Sequence, residues 1–175
     1  MCVIRKATDK ELSQVAAIYH RILEQEEKGL TTTGWIRGVY PTEETAREAM
    51  EAGELFILLE DGVVAAAAKI NKEQVPEYQN AQWNYTDVTE EQVMVLHTLV
   101  VDPSFAGRGL GTQFVKFYEE YAKEQGCCCL RMDTNARNTS ARRLYQHLGF
   151  REAGIVDCTF NGIVGVKLVC LEKML

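Results

Sequence analysis

The sequence is poor in proline, tryptophan and histidine, and it lacks long apolar runs. Three prolines, two tryptophans and three histidines occur among 175 residues. No apolar run approaches the roughly 20 residues of a membrane helix, and the start, MCVIRKATDKE, lacks the apolar segment of a signal peptide. These absences predict a cytoplasmic protein without a membrane partner. The length predicts one domain over residues 1–175.

Positive charge is also scarce. The chain has 19 Lys and Arg against 25 Asp and Glu, which gives a formal net charge of −6. Proteins that bind nucleic acid need a basic surface, so this balance argues against a nucleic-acid partner. An acidic surface suits a cationic small molecule or peptide instead.

The six cysteines lack the paired spacing of a structural framework. Cys127, Cys128 and Cys129 are consecutive, and the other three are scattered. This pattern is typical neither of a secreted disulfide scaffold nor of a zinc knuckle. We therefore expect small buried thiols in a reducing compartment and no metal site.

The hydrophobic periodicity and the turn residues predict a mixed α/β (α+β) chain. Thr8 and Glu11 have the spacing of a capping box, and Asp61-Gly62 and Asn161-Gly162 are typical hairpin turns. Helices mixed with hairpins and crossovers predict a mixed sheet covered by helices. The expected elements are a strand at 2–7, helices at 9–27 and 42–53, strands on both sides of 61–62, a strand at 92–101, a helix at 109–125, a strand at 127–134, a helix at 138–149, and strands at 150–158 and 163–173.

Residues 72–91, KEQVPEYQNAQWNYTDVTEE, are polar with interspersed aromatic side chains. No helical or strand period is visible in this segment. Loops of this length in compact domains are usually functional lids or disordered segments. We expect a long excursion here.

The stretch HTLVVDPSFAGRGLGTQFV, residues 97–115, places glycines between an apolar strand and an amphipathic helix. A helix N-terminus offers free N–H groups and a positive dipole end, and glycines let a diphosphate approach them closely. Arg108 adds a cation. A P-loop is excluded because no lysine is in place, and the dinucleotide fingerprint would need glycine at Thr112. A tight turn without a ligand is the alternative.

The motifs around this stretch resemble those of the GCN5-related N-acetyltransferase (GNAT) family. An L-x-V-x-P pattern is followed by G-R-G-x-G and then by N-x-x-A-x-x-x-Y-x-x-x-G-F. The residues that match are Leu99, Val101, Pro103, Gly107, Arg108, Gly109, Gly111, Asn138, Ala141, Tyr145, Gly149 and Phe150. The resemblance implies a GNAT-like acyl-CoA N-acyltransferase fold, with a mostly antiparallel sheet of about seven strands flanked by about four helices.

The resemblance also implies that acetyl-CoA is the cosubstrate and that the glycine turn holds its diphosphate. Backbone N–H groups at Val100 or Val101 would face the thioester carbonyl, in a gap between this strand and the strand near 133–135. The family usually has Gln or Arg where this chain has Ala106. The implied cofactor-binding residues are Leu99, Val100, Val101, Ala106, Gly107, Arg108, Gly109, Leu110, Gly111, Thr112, Asn138, Ala141 and Tyr145.

Tyr145 lies where the family often has its general acid, although it could simply pack on the apolar face of its helix. Many relatives carry a glutamate base at the position of Val95, and valine cannot accept a proton. His97 lies two residues further, on the same face of the strand, and could take this role. It could equally be a core histidine. Glu90, Glu91 and Asp133 are the other candidates for the base.

Four aromatic residues, Trp35, Tyr40, Trp83 and Tyr85, are the expected lining of the acceptor site. The acceptor would be the amine of a small molecule, an amino acid, an antibiotic or a peptide. A CoA-binding sensor without turnover is the alternative function, and an acyltransferase for longer acyl chains or an oxygen nucleophile is a third. A homodimer through the final strands is common in such folds.

Overall fold

The computed structural model describes residues 1–175, which form seven strands and four helices. Short 3-10 turns lie at Asp9–Glu11, Pro76–Asn80, Glu90–Gln92 and Pro103–Phe105. The elements in chain order are β1 (Cys2–Lys6), α1 (Leu12–Glu27), α2 (Glu43–Glu51), β2 (Leu55–Glu60), β3 (Val63–Asn71), β4 (Val93–Val101), α3 (Leu110–Glu124), β5 (Cys129–Asn135), α4 (Thr139–His147), β6 (Arg151–Phe160) and β7 (Ile163–Met174). The predicted mixed fold is confirmed.

The strands form one sheet in the order β1-β2-β3-β4-β5-β7-β6. All neighbours are antiparallel except β4 and β5, which are parallel and are joined by the crossover through α3. Both predicted hairpins are present. Asn161 and Gly162 have φ angles of 51° and 78°, as the two central residues of a type I′ turn require.

The helices begin at the predicted caps. The Glu11 carboxylate accepts a hydrogen bond from the Thr8 backbone N–H at 2.9 Å, so the capping box is formed. The Asn138 side chain accepts a hydrogen bond from the Ala141 N–H at 3.3 Å and caps α4. None of the helices combines the length and the apolar character that spanning a bilayer requires.

Side chains are buried on both faces of the sheet. One face packs against α3 and α4, through residues such as Phe114 and Tyr118. On the other face, α1 and α2 cover β2 and β3, while residues from 72–91 cover β5, β7 and β6. Cys127, Cys129 and Cys170 are buried free thiols, whereas Cys2 is exposed.

Residues 72–91, which we call the covering segment, form a long excursion between β3 and β4 with only short 3-10 turns, and they pack against the sheet. Tyr78 is buried, at 2% exposure, in the cluster on β5 and β7. The buried Glu172 carboxylate of β7 accepts the Asn84 N–H at 2.7 Å, and Arg131 of β5 donates to the Tyr85 carbonyl at 3.1 Å. Two charged strand residues therefore anchor the segment to the sheet.

Candidate active site

The parallel strands β4 and β5 separate towards their C-terminal ends. They pair from Val93 with Cys129 to Leu96 with Met132, and no pair follows. Both strands nevertheless continue, β4 to Val101 and β5 to Asn135. The space between residues 97–101 and 133–135, here called the β4–β5 gap, is the opening expected from the family resemblance.

The glycine turn, residues 107–112, presents six consecutive backbone N–H groups with no hydrogen-bond acceptor in the chain. Gly107 and Gly109 have φ angles of 78° and 73°, and an added Cβ at either would meet no atom within 4 Å. Gly111 needs to be small for another reason, since a Cβ there would lie 3.4 Å from Leu144 of α4. Free donors and open space at the N-terminus of a long helix fit a diphosphate.

Ala106, just before this turn, and Arg108, within it, differ in what they can contribute to phosphate binding. The Ala106 N–H already donates to the Pro103 carbonyl at 3.2 Å, so it is not one of the free donors. The Arg108 guanidinium lies over the Phe105 ring at 5.1 Å and 3.5 Å from a Glu60 carboxylate oxygen. Arg108 is thus held at the surface beside the turn, where a phosphate would gain a cation.

The hydrogen bonds of β4 decide which backbone donors face the gap. The Asp102 N–H donates to the Ala65 carbonyl of the preceding antiparallel strand at 2.8 Å. Because donors along a strand alternate in direction, the Val100 N–H also points to β3, and those of Leu99 and Val101 point towards β5. Of the two donors expected for the thioester carbonyl, Val101 has the suitable direction.

A cavity of about 540 Å³ occupies the gap and passes from one face of the sheet to the other. On the side of α4 it is lined by Asn138, Ala141 and Tyr145, and on the side of α1 and α2 by Tyr19 and Ala49. His97, Leu99 and Asp133 line it from the two separated strands. The glycine turn, Val100 and Val101 do not line this cavity.

Tyr145 is buried, at 7% exposure, and lies edge-on to Phe150. Its hydroxyl has no hydrogen-bond partner in the chain, although it borders the cavity. Burial raises its pKa, with a smaller contribution from the negative charge of Asp133. Tyr145 is therefore neutral near pH 7 and has a hydroxyl proton to donate to a ligand.

His97 is held by Asn71, whose amide orientation is fixed by two unambiguous partners. The Asn71 Oδ1 accepts the Glu73 N–H at 3.0 Å, and its Nδ2 donates to the Glu54 carboxylate at 3.0 Å. The Oδ1 also lies 2.8 Å from the His97 Nε2, which must therefore carry a proton. Burial lowers the pKa of His97 to about 4, and the charge of Lys69 acts in the same direction. His97 is neutral at pH 7, but it is a weak base.

Asp133 lies on the same face of the sheet as His97, because the residues before them, Met132 and Leu96, are paired. The Tyr78 hydroxyl donates to its Oδ2 at 2.7 Å. Burial raises the pKa of the Asp133 carboxyl to about 6, against the effect of this hydrogen bond. A lone aspartate at the end of a strand carries little sequence signal, and only the gap makes it prominent.

Of the four aromatic residues expected at the acceptor site, the structure brings two to the cavity. Trp35 and Tyr40 line it, with their rings edge-on at 6.0 Å. Trp83 and Tyr85 do not. The Trp83 ring instead stacks on the Arg131 guanidinium at 4.2 Å, and Tyr85 lies in the anchored covering segment.

Arg142 of α4 and the two other base candidates, Glu90 and Glu91, lie outside the cavity. Arg142 holds the Glu152 carboxylate at 2.7 and 2.8 Å, so its guanidinium is occupied. Glu91 pairs at the surface with Lys72, at 3.2 Å. Glu90 is exposed in the 3-10 turn before β4. None of the three lines the cavity.

Comparison with known proteins agrees with this architecture. Residues 17–150 match the model of the acetyltransferase (GNAT) family, and the chain belongs to that family. Over 71 residues it is 34% identical to an uncharacterised N-acetyltransferase of Methanocaldococcus jannaschii, covering 41% of this chain and 31% of that protein. Over 109 residues it is 31% identical to aminoglycoside N(6′)-acetyltransferase type 1 of Salmonella typhimurium, covering 60% of this chain and 68% of that protein. The chain thus spans about a third of the archaeal relative.

Solved structures share the fold over nearly the whole chain. A GNAT-family acetyltransferase of Streptococcus agalactiae superposes with a TM-score of 0.82 at 22% identity, over 99% of this chain and 95% of that one. The yncA protein of Salmonella typhimurium, solved with its cofactor acetyl-CoA, has a TM-score of 0.71 at 18% identity, over 100% and 94%. The GNAT family uses acetyl-CoA, and the relatives named above are N-acetyltransferases.

Proposed function

We propose that this protein transfers the acetyl group of acetyl-CoA to a primary amine that enters from the side of α1 and α2. The observation that carries the proposal is the run of six unbonded N–H groups at 107–112, next to the open end of the β4–β5 gap. The would-be Cβ of Gly111 lies 4.0 Å from Val101 of β4 and 3.4 Å from Leu144 of α4. The turn is thus adjacent to β4, which forms one wall of the gap, and to α4.

The residues present fit acetyl-CoA, which supplies an activated acetyl thioester when bound. The glycine turn and Arg108 would hold its diphosphate. The Asn138 Oδ1 is used in capping α4, so its NH₂ group is left to donate to the pantetheine arm. The Val101 N–H would donate to the acetyl carbonyl, and a backbone donor of this kind typically contributes about 3 to 4 kcal/mol to transition-state stabilisation.

We assign proton acceptance to Asp133 in preference to His97. Both line the cavity, but a base is most effective when its pKa lies near the working pH. The pKa of Asp133, about 6, is closer to neutrality than that of His97, about 4. Tyr78 holds one carboxylate oxygen of Asp133, and the other accepts no hydrogen bond from the chain. That second oxygen would take the proton of the acceptor ammonium, directly or through water.

Tyr145 would donate a hydrogen bond to the departing sulfur. Its raised pKa makes complete proton transfer to a thiolate, whose conjugate acid has a pKa of about 8.5, unfavourable. Stabilisation of the thiolate by the neutral hydroxyl is the better description of its role. The hydroxyl is available because nothing else in the chain binds it.

The cavity favours a cationic acceptor. Glu48, Glu73 and Asp133 line it against a single cation, Lys69, and Trp35 and Tyr40 add aromatic surface. Acidic and aromatic side chains together bind ammonium groups well. The Salmonella relative is named for an aminoglycoside acceptor. For this chain we propose a small-molecule or peptide amine. A cytoplasmic location, a single domain over 1–175 and a homodimer through β6 and β7 stay predictions.

Calorimetric titration with acetyl-CoA, with NADH as the control ligand, tests the cofactor assignment. Gly109→Glu should abolish binding because it puts bulk and negative charge at the diphosphate position. Gly126→Glu is the matched control, since Gly126 also has a positive φ, 74°, and open space around a Cβ. Equal affinity of the two variants for acetyl-CoA would refute the assignment of the glycine turn.

Turnover is tested by thiol release with a panel of amines. Acetylation of at least one cationic primary amine is expected, with loss of the rate in Asp133→Asn. Binding of acetyl-CoA without thiol release from any amine would refute the transferase proposal and support the CoA-binding sensor.

A further inference from the structure

Thr98 has an unusual backbone conformation in the middle of β4. Its φ is 53°, and the other non-glycine residues with positive φ, Asp61 and Asn161, lie in hairpin turns. The register between β3 and β4 shifts here. Ala67 pairs with Val100 and Lys69 with His97, so one residue of β3 lies opposite two residues of β4. β4 therefore contains one extra residue, a β-bulge. A β-branched residue keeps such a conformation only when its surroundings hold it.

The bulge reverses the alternation of side chains along β4. Before it, Met94 and Leu96 pack in the cluster beneath α3 and α4. After it, Leu99 and Val101 pack against that cluster, and Val100 packs on the opposite face with α1 and α2. Without the extra residue, the directions of the side chains and N–H groups beyond position 98 would be exchanged. The direction of the Val101 N–H thus depends on the bulge.

A side chain from the acceptor side of the cavity holds the bulge. The Tyr40 hydroxyl is hydrogen-bonded to the Thr98 hydroxyl. Tyr40 lies in the α1–α2 loop, where its N–H donates to the Ile36 carbonyl at 3.0 Å and its ring contacts Trp35 edge-on. Tyr40 and Thr98 both line the cavity. The loop that faces the acceptor is thus bonded directly to the irregular residue of the central strand.

We propose that Tyr40 and Thr98 are a positioning pair, which holds the β4 bulge so that the Val101 N–H faces the acetyl carbonyl. The pair connects the acceptor-side loop with the acyl-binding strand, and neither side chain is hydrogen-bonded to the diphosphate turn or to Asp133. This inference rests on the proposed acetyltransferase function.

The effect of the pair can be distinguished from that of the rest of the site by measuring the affinity of each variant for acetyl-CoA and for free CoA. Free CoA has no acetyl carbonyl, so its affinity should not depend on the Val101 N–H. In Tyr40→Phe we expect acetyl-CoA affinity to fall about three- to tenfold, the usual effect of one hydrogen bond, with CoA affinity unchanged. Thr98→Val should give the same result, and the double variant should be no worse than either single variant.

Three further substitutions keep the test decisive. Thr98→Ser retains the hydroxyl and should behave as the wild type. Thr98→Gly adopts a positive φ without strain, so adding Tyr40→Phe to it should cause no further loss. Tyr121→Phe is the control for removal of a tyrosine hydroxyl, since Tyr121 stacks on Phe117 within α3, away from the gap. If Tyr40→Phe does not fold, the Thr98 series gives the same comparison.

The outcomes separate this inference from the proposed function. Wild-type protein that binds neither ligand, or that binds acetyl-CoA but acetylates no amine, would refute the proposed function. An active wild type whose variants lose acetyl-CoA and CoA affinity equally, or whose two single losses add in the double variant, would overturn the positioning pair alone.

Discussion

The assignment of Asp133 as proton acceptor predicts how turnover depends on pH. Asp133 is buried beside Tyr78 and has a pKa of about 6, whereas the pKa of His97 is about 4. A group accepts a proton only in its unprotonated form. Turnover should therefore fall when Asp133 becomes protonated, well above the pH at which His97 would matter.

The size of the effect follows from the two pKa values. With a pKa of about 6, Asp133 is about 90% ionised at pH 7 and about 9% ionised at pH 5, a decrease of about tenfold. With a pKa of about 4, His97 loses only about 10% of its neutral form over the same range. Tyr78→Phe removes a hydrogen bond that lowers the pKa of Asp133, so it should move the decrease to higher pH.

Thiol release at saturating acceptor is the assay, and the ratio of wild-type to Asp133→Asn rates is the measured quantity. The ionisation of the acceptor itself affects both proteins and cancels in this ratio. The ratio should fall about tenfold from pH 7 to pH 5. The ratio of wild type to His97→Ala should stay flat over that range. A flat ratio for Asp133→Asn together with a falling one for His97→Ala would refute the assignment.

Three further predictions concern single side chains. Tyr145→Phe should lower turnover with little change in acetyl-CoA affinity by calorimetry; an equal loss of both would show that its ring only packs. The folded-state pKa of His97, about 4, lies below its unfolded value of about 6.5, so its contribution to stability is complete above pH 6.5 and is lost as the pH falls. Between pH 7.5 and 5, the free energy of unfolding measured in urea should decrease by about 2 kcal/mol more for the wild type than for His97→Gln. Equal decreases in the two proteins would contradict this. Glu172→Gln should lower the free energy of unfolding by about 2 kcal/mol. The control substitution at an exposed position, Glu43→Gln, should change it by under about 0.5 kcal/mol. Similar decreases in the two variants would mean that Glu172 does not anchor the covering segment.

Much of the fold can be predicted from local signals in the sequence. The hairpin at Asn161-Gly162 and the caps at Thr8 and Asn138 each rest on a few neighbouring residues, and all three are present. The glycine turn was located by the same kind of signal, because a positive φ at Gly107 and Gly109 restricts the residue type.

The features that were not predicted depend on contacts between distant residues. Nothing in VMVLHTLVV marks Thr98 as a bulge, because the conformation is held by Tyr40, 58 residues earlier. Arg131 and Glu172 are charged residues in strand patterns, which normally indicates exposure, yet both are buried under the covering segment. Their partners include backbone groups of that segment and the distant side chains of Gln74 and Arg151, which no sequence period reveals.

The cavity that passes through the sheet also bears on the order of chemical events. Its lining residues lie on both faces of the sheet, with α4 on one side and α1 and α2 on the other, so donor and acceptor can occupy it together from opposite sides. A donor thioester and an acceptor amine bound from opposite sides can react directly, without an acetylated side chain as intermediate. We therefore expect a ternary complex, with intersecting rather than parallel double-reciprocal plots when both substrates are varied.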